Sequence, residues 1–386
     1  MTPEEVELLS ELTLVIPTAN RSIAMRREIA YWQDKPVNVH ILDGSSKQSY
    51  PVGVISGAKN ITYHYFEPNV DQLPYANFRR RIRFAVSLKK TMYCALLGDE
   101  DFFTVSGLLA SLKVLSESST VCSITGATAG FEVDNGVAMW GMRNFNKQPI
   151  EEYGSLNLRS RLKPQIVGHL PVIYYGVFKT AAWDKTFELS FGHREETELL
   201  GGKRIVNMCA LAIGPMKVIE NLLWLRQYTK DVESYAAFDG SRGGYERYLA
   251  DPRNQAEVRE YFEALAGAIK AGNPELSSSK CLKLAKKSLV PGFRSSQSGI
   301  KFSTRRRLAK LVTRIGSLLP GRIRIALNRS VGKNFSKSLG FIDKDGKFER
   351  LIERQSLDSL LSNLSNTHII FNASEIRSVE NLILSN

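Results

Sequence analysis

The sequence predicts a mixed α/β fold built on a mostly parallel sheet with helices on both faces. Short apolar strands alternate with helical segments in the first hundred residues, and each strand stops at a polar, turn-forming tip. The chain has 386 residues, of which 43% are hydrophobic, enough for one large domain and a smaller appendage. This alternation is typical of βαβ units, whose right-handed crossovers make successive strands pair in parallel.

The first two strands end in tips rich in turn-forming residues. TLVIPTANR, residues 13–21, is an apolar strand stopped by Pro17, and the following helix is expected to run to about Trp32. VNVHILDGSS, residues 37–46, alternates branched side chains and then reaches Asp43. Because the carboxyl ends of parallel strands lie at one edge of a sheet, we expect these tips to lie close together.

A third strand ends in three consecutive carboxylates. CALLGDEDFF, residues 94–103, is apolar up to Asp99, Glu100 and Asp101. Adjacent anions are costly to bury unless a cation shares them, and oxygen ligands select hard divalent ions such as Mg²⁺ or Mn²⁺. The alternative is a turn in which one of the aspartates caps a helix predicted from about Val105 to Leu115.

The chemistry of the three tips together predicts a nucleotide site. Asp43 is placed where a carboxylate accepts hydrogen bonds from a base or ribose, and Arg21 is placed to pair with phosphate. The acidic run would hold the metal ion. The three tips therefore form one candidate site rather than three separate turns.

A helix predicted over residues 75–90 lies between the second and third tips. Its first turns carry four cations, Arg79, Arg80, Arg81 and Arg83. Cations oppose the macrodipole at a helix start, which suggests an anion nearby. The alternative is that most of these arginines form a solvated face.

The ordered motifs VIPTANR, ILDGSS and LLGDEDF resemble those of GT-A glycosyltransferases, close to the family 2 type found in bacterial polysaccharide biosynthesis. The resemblance covers roughly residues 11–230. It implies a Rossmann-like GT-A fold, a nucleotide-sugar donor and a divalent metal, Mn²⁺ or Mg²⁺. One departure is Ala19, which stands where the family usually has an aromatic or other large side chain.

The resemblance also implies roles for individual residues. The residues expected to bind the nucleotide sugar are Pro17, Thr18, Asn20, Arg21, Asp43, Asn77, Arg80, Asp99 and Arg226. The residues expected to hold the metal are the DxD pair, Asp99 and Asp101. Either Asn77 or Arg80 would contact the donor diphosphate, because the corresponding helix of the family lies against it. For Arg226, a cation at the end of an amphipathic helix is an equally natural reading.

The second half of the domain is expected to bind the acceptor. TVCSITGATAGFEV and GVAMWGMR, residues 120–133 and 136–143, are predicted strands. An inverting sugar transfer needs a carboxylate that takes the proton of the acceptor hydroxyl. The family supplies it from the region of Glu196 and Glu195, in that order of preference. The alternative is that these glutamates form the acidic first turn of a surface helix.

Composition and charge indicate where the protein works. Four dispersed cysteines without paired spacing, an acidic N-terminus and no apolar run as long as a membrane span predict a cytoplasmic protein. The net charge is +13, yet residues 276–342 hold 16 Lys and Arg and no acid. Leucines at helical spacing beside Arg305–Lys310 suggest a helix on an anionic membrane, so residues 280–337 are the expected membrane contact.

The basic stretch is also compatible with a helix packed on the catalytic domain with a solvated basic side, or with nucleic-acid binding. Nucleic acid is disfavoured because few aromatic residues are interleaved with the cations. The predicted organisation begins with a catalytic domain, residues 1–235, which has a donor half, 11–105, and an acceptor half, 106–235. A helical basic extension follows over residues 236–340. The last segment, residues 341–386, has no assigned role.

The predicted function is metal-dependent transfer of a sugar, with inversion, from a nucleotide sugar to a bacterial surface polysaccharide or lipid-linked glycan. The enzyme is expected in the cytoplasm, peripheral on the inner face of the plasma membrane. The alternative is a non-catalytic scaffold that binds nucleotide or glycan and docks through its basic stretch; the intact DEDF run argues against it. A nucleotidyltransferase would begin with a Gly-rich loop bearing Arg and Lys, which this sequence lacks after its first strand.

Overall fold

A computed structural model describes residues 1–69, 74–134, 136–142, 151–166, 173–192, 203–228, 254–298 and 352–385.

The predicted α/β class is confirmed, since helices flank both faces of one sheet. The helices are α1 (Pro3–Ser10), α2 (Ser22–Trp32), α3 (Pro74–Ser87), α4 (Val105–Glu117), α5 (Leu158–Ile166), α6 (Thr180–Phe191), α7 (Lys203–Ile213), α8 (Gln255–Gly272), α9 (Ser278–Ser298), α10 (Leu357–Ser365) and α11 (Ala373–Leu384). The strands are β1 (Leu12–Thr18), β2 (Asn38–Asp43), β3 (Gly53–Ile55), β4 (Ala58–Tyr65), β5 (Tyr93–Leu96), β6 (Phe102–Phe103), β7 (Ser123–Asp134), β8 (Val137–Met142), β9 (Val177–Lys179), β10 (Met216–Gln227) and β11 (Ile352–Gln355).

The sheet has the strand order β11-β8-β7-β9-β5-β1-β2-β4-β3, and β10 joins it beside β7 and β6. The four central strands β5, β1, β2 and β4 pair in parallel, as the βαβ pattern predicts. β10 also runs parallel to β7, whereas the outer strands and β9 pair antiparallel. Thr18 lies opposite Asp43 in this register, so the tips of β1 and β2 meet at one edge of the sheet.

The central strands are buried on both faces. In β1, Leu14 and Ile16 belong to one apolar cluster and Val15 to the other, because successive side chains of a strand point to opposite faces. The first cluster includes residues of α2, α4, α10 and α11, and the second includes residues of α3 and α5 to α8. Burial on both faces explains why these strands are continuous apolar runs in the sequence.

The helix after the acidic run is capped by Thr104. Its hydroxyl accepts a hydrogen bond from Gly107 N at 3.1 Å, at the start of α4. The alternative in which Asp99 or Asp101 caps this helix is therefore wrong. Both aspartates are left available for other contacts.

Residues 352–385 are part of the same packed body as the N-terminal strands. β11 pairs with β8, and Asn221 of β10 forms a bridge with Ile370. The apolar side chains that this segment adds to the first cluster include Leu357, Leu360, Leu361, Leu364, Ile376, Val379 and Ile383. The predicted domain boundaries at residues 235 and 340 fall outside the described ranges.

Two smaller expectations concern the cysteines and the membrane. All four cysteines are unpaired, and Cys94, Cys209 and Cys281 are buried. Within the described part of the chain, the helices are too short or too polar to cross a bilayer.

Candidate functional site

The tips of β1 and β2 are joined by the side chain of Asn20. Its Oδ1 accepts hydrogen bonds from Ser46 N at 2.9 Å and Ser46 Oγ at 3.1 Å, and its backbone N donates to Ser45 Oγ at 2.7 Å. Asn20 has a φ of 56°, the left-handed region that asparagine tolerates better than most residues. The predicted nucleotide-binding residue Asn20 therefore connects the two tips, and Pro17 precedes it within β1.

Asp43 is fully buried at the end of β2 and held in one orientation. Its Oδ1 accepts hydrogen bonds from the backbone N and the hydroxyl of Ser45, and its Oδ2 accepts from the Tyr63 hydroxyl at 2.7 Å. Burial and the bond to Asp43 raise the pKa of Tyr63 to about 12. The hydroxyl therefore stays protonated and keeps donating to the carboxylate.

Asp99 is the meeting point of the first and third tips. Its Oδ2 accepts a hydrogen bond from Thr18 Oγ1 at 2.8 Å, and its Oδ1 accepts from Arg21 Nη1 at 3.1 Å. Burial raises the pKa of the Asp99 carboxyl, while the charges of Arg21 and Arg81 and the Thr18 bond act in the opposite direction. The predicted residues Thr18, Arg21 and Asp99 are thus brought together.

Asp101 faces the other way, toward β10. Its Oδ2 accepts from Trp224 Nε1 and its Oδ1 from Gln227 N, both at 3.1 Å. The Trp224 ring lies 4.6 Å from the ring of Tyr175, centre to centre, and 5.5 Å from the guanidinium carbon of Arg226. Arg226 is therefore near the acidic tip, but its guanidinium packs on aromatic rings. The expectation that Arg226 ends a helix is wrong, because the residue lies in strand β10.

The donor atoms at the acidic tip fit a hard divalent ion that is shared with a ligand. Asp99 and Asp101 offer only carboxylate oxygens, the ligand type that hard divalent ions prefer. Among the described residues no three His, Cys, Asp or Glu side chains are grouped as a complete metal cage. Mg²⁺ is commonly bound by one or two carboxylates plus substrate phosphates, and this donor set suits that arrangement.

Arg81 is a site residue that the sequence did not single out from its neighbours. It is buried, its Nη1 donates to Thr18 O at 2.8 Å, and burial lowers its pKa to about 10. A Cβ on Gly44 would lie 1.6 Å from that nitrogen, so a larger residue at position 44 would displace the Arg81 guanidinium. A buried cation therefore lies between the tips of β1 and β2.

Two other residues of this region contact the segment that precedes α3. The Asn77 side chain accepts from Asn69 N at 2.9 Å and donates to Asn69 O at 3.0 Å. The Arg80 guanidinium donates to Glu67 O and lies 6.0 Å from the centre of the Phe66 ring. In these contacts both side chains order the chain at residues 66–69.

The predicted bases Glu195 and Glu196 lie outside the described residues.

A second acid, Glu28 of α2, is buried behind the tip. Its Oε2 accepts from Trp32 Nε1 at 2.8 Å, and its Oε1 is buried without a hydrogen-bond partner. Burial raises the pKa of Glu28 well above the ordinary glutamate value, and the charges of Asp101 and Asp99 raise it further. In the sequence, the only signal for this residue is an acid on the apolar side of a helix.

Glu375 of α11 anchors the far side of the acidic run. Its carboxylate accepts hydrogen bonds from Val105 N, from Ser106 N at 3.3 Å and from Ser106 Oγ at 2.9 Å, at the start of α4. The Tyr31 hydroxyl lies 3.2 Å from Glu375 Oε1 and 2.9 Å from Phe103 O. An anion is favourable at this position because the helix macrodipole is positive there.

No protein-family model and no curated protein matches the sequence. Among solved structures, residues 1–349 of S. aureus TarS match with a TM-score of 0.42 and 12% identity, over 76% of this chain and 91% of that one. The same protein in complex with UDP-GlcNAc gives a TM-score of 0.41 and 12% identity, over 76% of this chain and 92% of that one. The mannosyltransferase PcManGT from Pyrobaculum calidifontis, in complex with GDP-Man and Mn²⁺, gives a TM-score of 0.35 and 12% identity, over 82% of this chain and 86% of that one.

Proposed function

We propose that this chain is a metal-dependent glycosyltransferase that moves a sugar from a nucleotide-sugar donor to a bacterial surface polysaccharide or lipid-linked glycan, with inversion at the anomeric carbon. The observation that supports this proposal is the convergence of Asp43, Asp99 and Asp101 with the cations Arg21 and Arg81 at one edge of the sheet. Oriented carboxylates beside arginine cations suit a ligand that carries both hydroxyl donors and phosphate.

In this proposal the donor lies across the tips of β1, β2 and β5. Asp43 accepts a hydrogen bond from the base or ribose at Oδ2, because Ser45 donates twice to Oδ1 and the Tyr63 hydroxyl donates once to Oδ2. Arg21 and Arg81 supply positive charge toward the diphosphate. Asn20 keeps the two tips at a constant separation.

Asp99 and Asp101 would hold the divalent ion, Mn²⁺ or Mg²⁺, together with the donor phosphates. When bound, such an ion supplies charge stabilisation to the departing nucleoside diphosphate. Trp224 and Gln227 orient Asp101 for this role, as Thr18 orients Asp99. The acceptor proton would go to a carboxylate, Glu196 or Glu195, and Arg226 would contact the donor diphosphate from the β10 side of the site.

The proposed acceptor and location are supported by the charge of residues 280–337. The described start of this stretch, in α9, turns Cys281, Ala285 and Ser288 inward and leaves four lysines exposed, Lys280, Lys283, Lys286 and Lys287. Such a face is attracted to anionic lipid, and we expect cosedimentation with phosphatidylglycerol vesicles that weakens with salt. Replacing the four lysines by glutamine should reduce it; unchanged binding would contradict a role of this face.

Isothermal calorimetry with a panel of nucleotides and nucleotide sugars, with and without Mn²⁺, tests the donor site. We expect one nucleoside diphosphate to bind more tightly with Mn²⁺, and Asp101→Ala to lose the metal-dependent part. Asp34→Ala, which removes an exposed acid beyond the end of α2, is the matched control and should bind like the wild type. If no nucleotide binds under either condition, the transferase proposal fails and the scaffold alternative takes its place.

A further inference from the structure

Arg21 forms two ion pairs through a single nitrogen at the acidic tip. Its Nη1 lies 3.1 Å from Asp99 Oδ1 and 2.8 Å from Glu100 Oε2. Asp99 is one of the two proposed metal ligands, whereas Glu100 has no assigned role. The guanidinium therefore shares the oxygen-rich surface on which a divalent ion would be placed.

We propose that Arg21 is an exchangeable counter-ion that keeps a divalent metal from binding until a diphosphate arrives with it. The inference rests on the proposed function, since it concerns the same donor site. In this arrangement the guanidinium offsets part of the negative charge of Asp99 and Glu100 until the ligand binds. It then leaves the carboxylates and pairs with the phosphates.

The geometry of the pair suits exchange. The Arg21 side chain is 37% exposed, whereas those of Asp99 and Glu100 are 12% and 19% exposed. Only one nitrogen serves both carboxylates, so the stronger arrangement of two parallel bonds to one carboxylate is not used. Arg21 is at the N-cap position of α2 and makes no side-chain capping bond there, so its departure would not remove a cap.

Electrostatics gives the direction of the effect. A divalent cation on Asp99 Oδ1 would lie close to the Arg21 guanidinium, and the two positive charges repel each other. A metal alone must therefore displace Arg21 without offering it a new partner. A metal that arrives with a diphosphate brings anionic oxygens to which an arginine binds well. Metal and diphosphate should consequently favour each other's binding, and by the same factor in each direction.

Mn²⁺ binding measured by electron paramagnetic resonance tests the proposal, with Mn²⁺ alone and with UDP, GDP or ADP as the diphosphate probe. In the wild type we expect weak binding of Mn²⁺ alone and about tenfold tighter binding with the matching diphosphate, the usual size of such coupling. In Arg21→Gln, Mn²⁺ alone should bind about tenfold more tightly, and the coupling should shrink by a similar factor.

Two further variants separate this role from general effects of charge. Arg26→Gln removes the same charge from an exposed position of α2 and should leave Mn²⁺ binding as in the wild type. Arg21→Lys keeps the cation and should exclude Mn²⁺ nearly as well as arginine does. Circular dichroism checks that each variant is folded.

The outcomes distinguish this inference from the proposed function. If a nucleotide binds the wild type with Mn²⁺ but Arg21→Gln leaves the affinity for Mn²⁺ alone unchanged, the exchange is overturned and the donor site stands. If no nucleotide binds, the proposed function fails, while a gain of Mn²⁺ affinity in Arg21→Gln still supports displacement of Arg21 by metal. Should Arg21→Gln fail to fold, a wild-type Mn²⁺ affinity that is independent of diphosphate overturns the exchange.

Discussion

The acidic run, Asp99–Asp101, has two sides that are built differently. On the donor side, Asp99 is held by Thr18 and by the partly exposed cation Arg21, both from the β1 tip. On the packed side, Asp101 accepts from the neutral donors Trp224 Nε1 and Gln227 N of β10. Glu375 of α11 binds the start of α4 just beyond the run.

The two sides differ in the charge of the groups that hold the carboxylates and in where those groups lie in the chain. The donor side uses charged groups that a ligand can reorganise, and they come from short motifs near the N-terminus. The packed side uses buried neutral donors and a helix terminus, contributed by residues more than 120 positions further along the chain. Contacts with β10 and α11 therefore fix the position of the acidic run, while Arg21 on the donor side balances part of its negative charge.

The strongest test of the packed side is removal of residues 352–386. Seven apolar residues of α10 and α11 lie in the first cluster, and each buried leucine or isoleucine contributes about 1.5 to 3 kcal/mol. Their sum approaches or exceeds the roughly 5 to 15 kcal/mol stability of a typical domain. We expect the truncated chain to lose cooperative thermal unfolding in near-UV circular dichroism. Leu384→Ala, at an exposed position, should unfold within about 0.5 kcal/mol of the wild type; a truncated chain that melts like the full one would contradict the assignment.

Glu375→Ala should have the next largest effect. It removes a charged acceptor from the start of α4, and hydrogen bonds to charged groups contribute about 1.5 to 3 kcal/mol. Urea unfolding should show a loss of about 2 kcal/mol. Glu380→Gln, in the same helix, keeps an acceptor for Trp140 Nε1 and is the matched control. Equal losses in the two variants would show that Glu375 has no special role at the helix terminus.

Glu28 of α2 is buried near the acidic run, and its contribution to the free energy of unfolding should depend on pH. Because burial raises the folded-state pKa above the unfolded value, the folded protein holds the proton more tightly. The stabilisation that this bound proton provides is complete below the ordinary glutamate pKa. It is lost as the pH rises through the raised pKa of Glu28 in the folded protein. Glu28→Gln imitates the protonated acid and keeps an acceptor for Trp32. Its free energy of unfolding should match the wild type at acidic pH and exceed it by about 1 kcal/mol at alkaline pH; a constant difference across pH would refute the idea.

The smallest expected effect lies on the donor side. Tyr63→Phe removes the hydrogen bond to Asp43 and the acceptor of Ser49 N, and should cost about 1 kcal/mol in urea unfolding. Nucleotide affinity, measured by calorimetry, should fall several-fold, because Asp43 loses one of the groups that fix its direction. Tyr65→Phe, in the same strand, is the control. An unaltered affinity in Tyr63→Phe would mean that Ser45 alone suffices to orient Asp43.

The donor side could largely be predicted from the sequence because its determinants are local. Strand tips and the DEDF run are short patterns, and parallel pairing brings such tips together without further information. The sequence also showed that arginines crowd the start of α3. It could not show that Arg81 is the one turned to Thr18, because that depends on how the helix is rotated against the sheet.

The packed side could not be predicted, for a physical reason of the same kind. The contacts of Asp101 with Trp224 and of Glu375 with Ser106 join residues that are far apart in the chain, and neither pair has a distinctive local pattern. Asn20 illustrates a mixed case: its place in the motif marks it as a site residue, while its left-handed backbone and its bonds to Ser46 are visible only in three dimensions.

The return of the chain to the sheet at β11 has a consequence for proteolysis. Residues 299–351 connect α9 to a strand that pairs with β8 and is followed by two helices packed in the core. A protease that cuts once in that basic stretch would therefore break the covalent chain without releasing the C-terminal piece. The two fragments should migrate together under native conditions and separate only in denaturant.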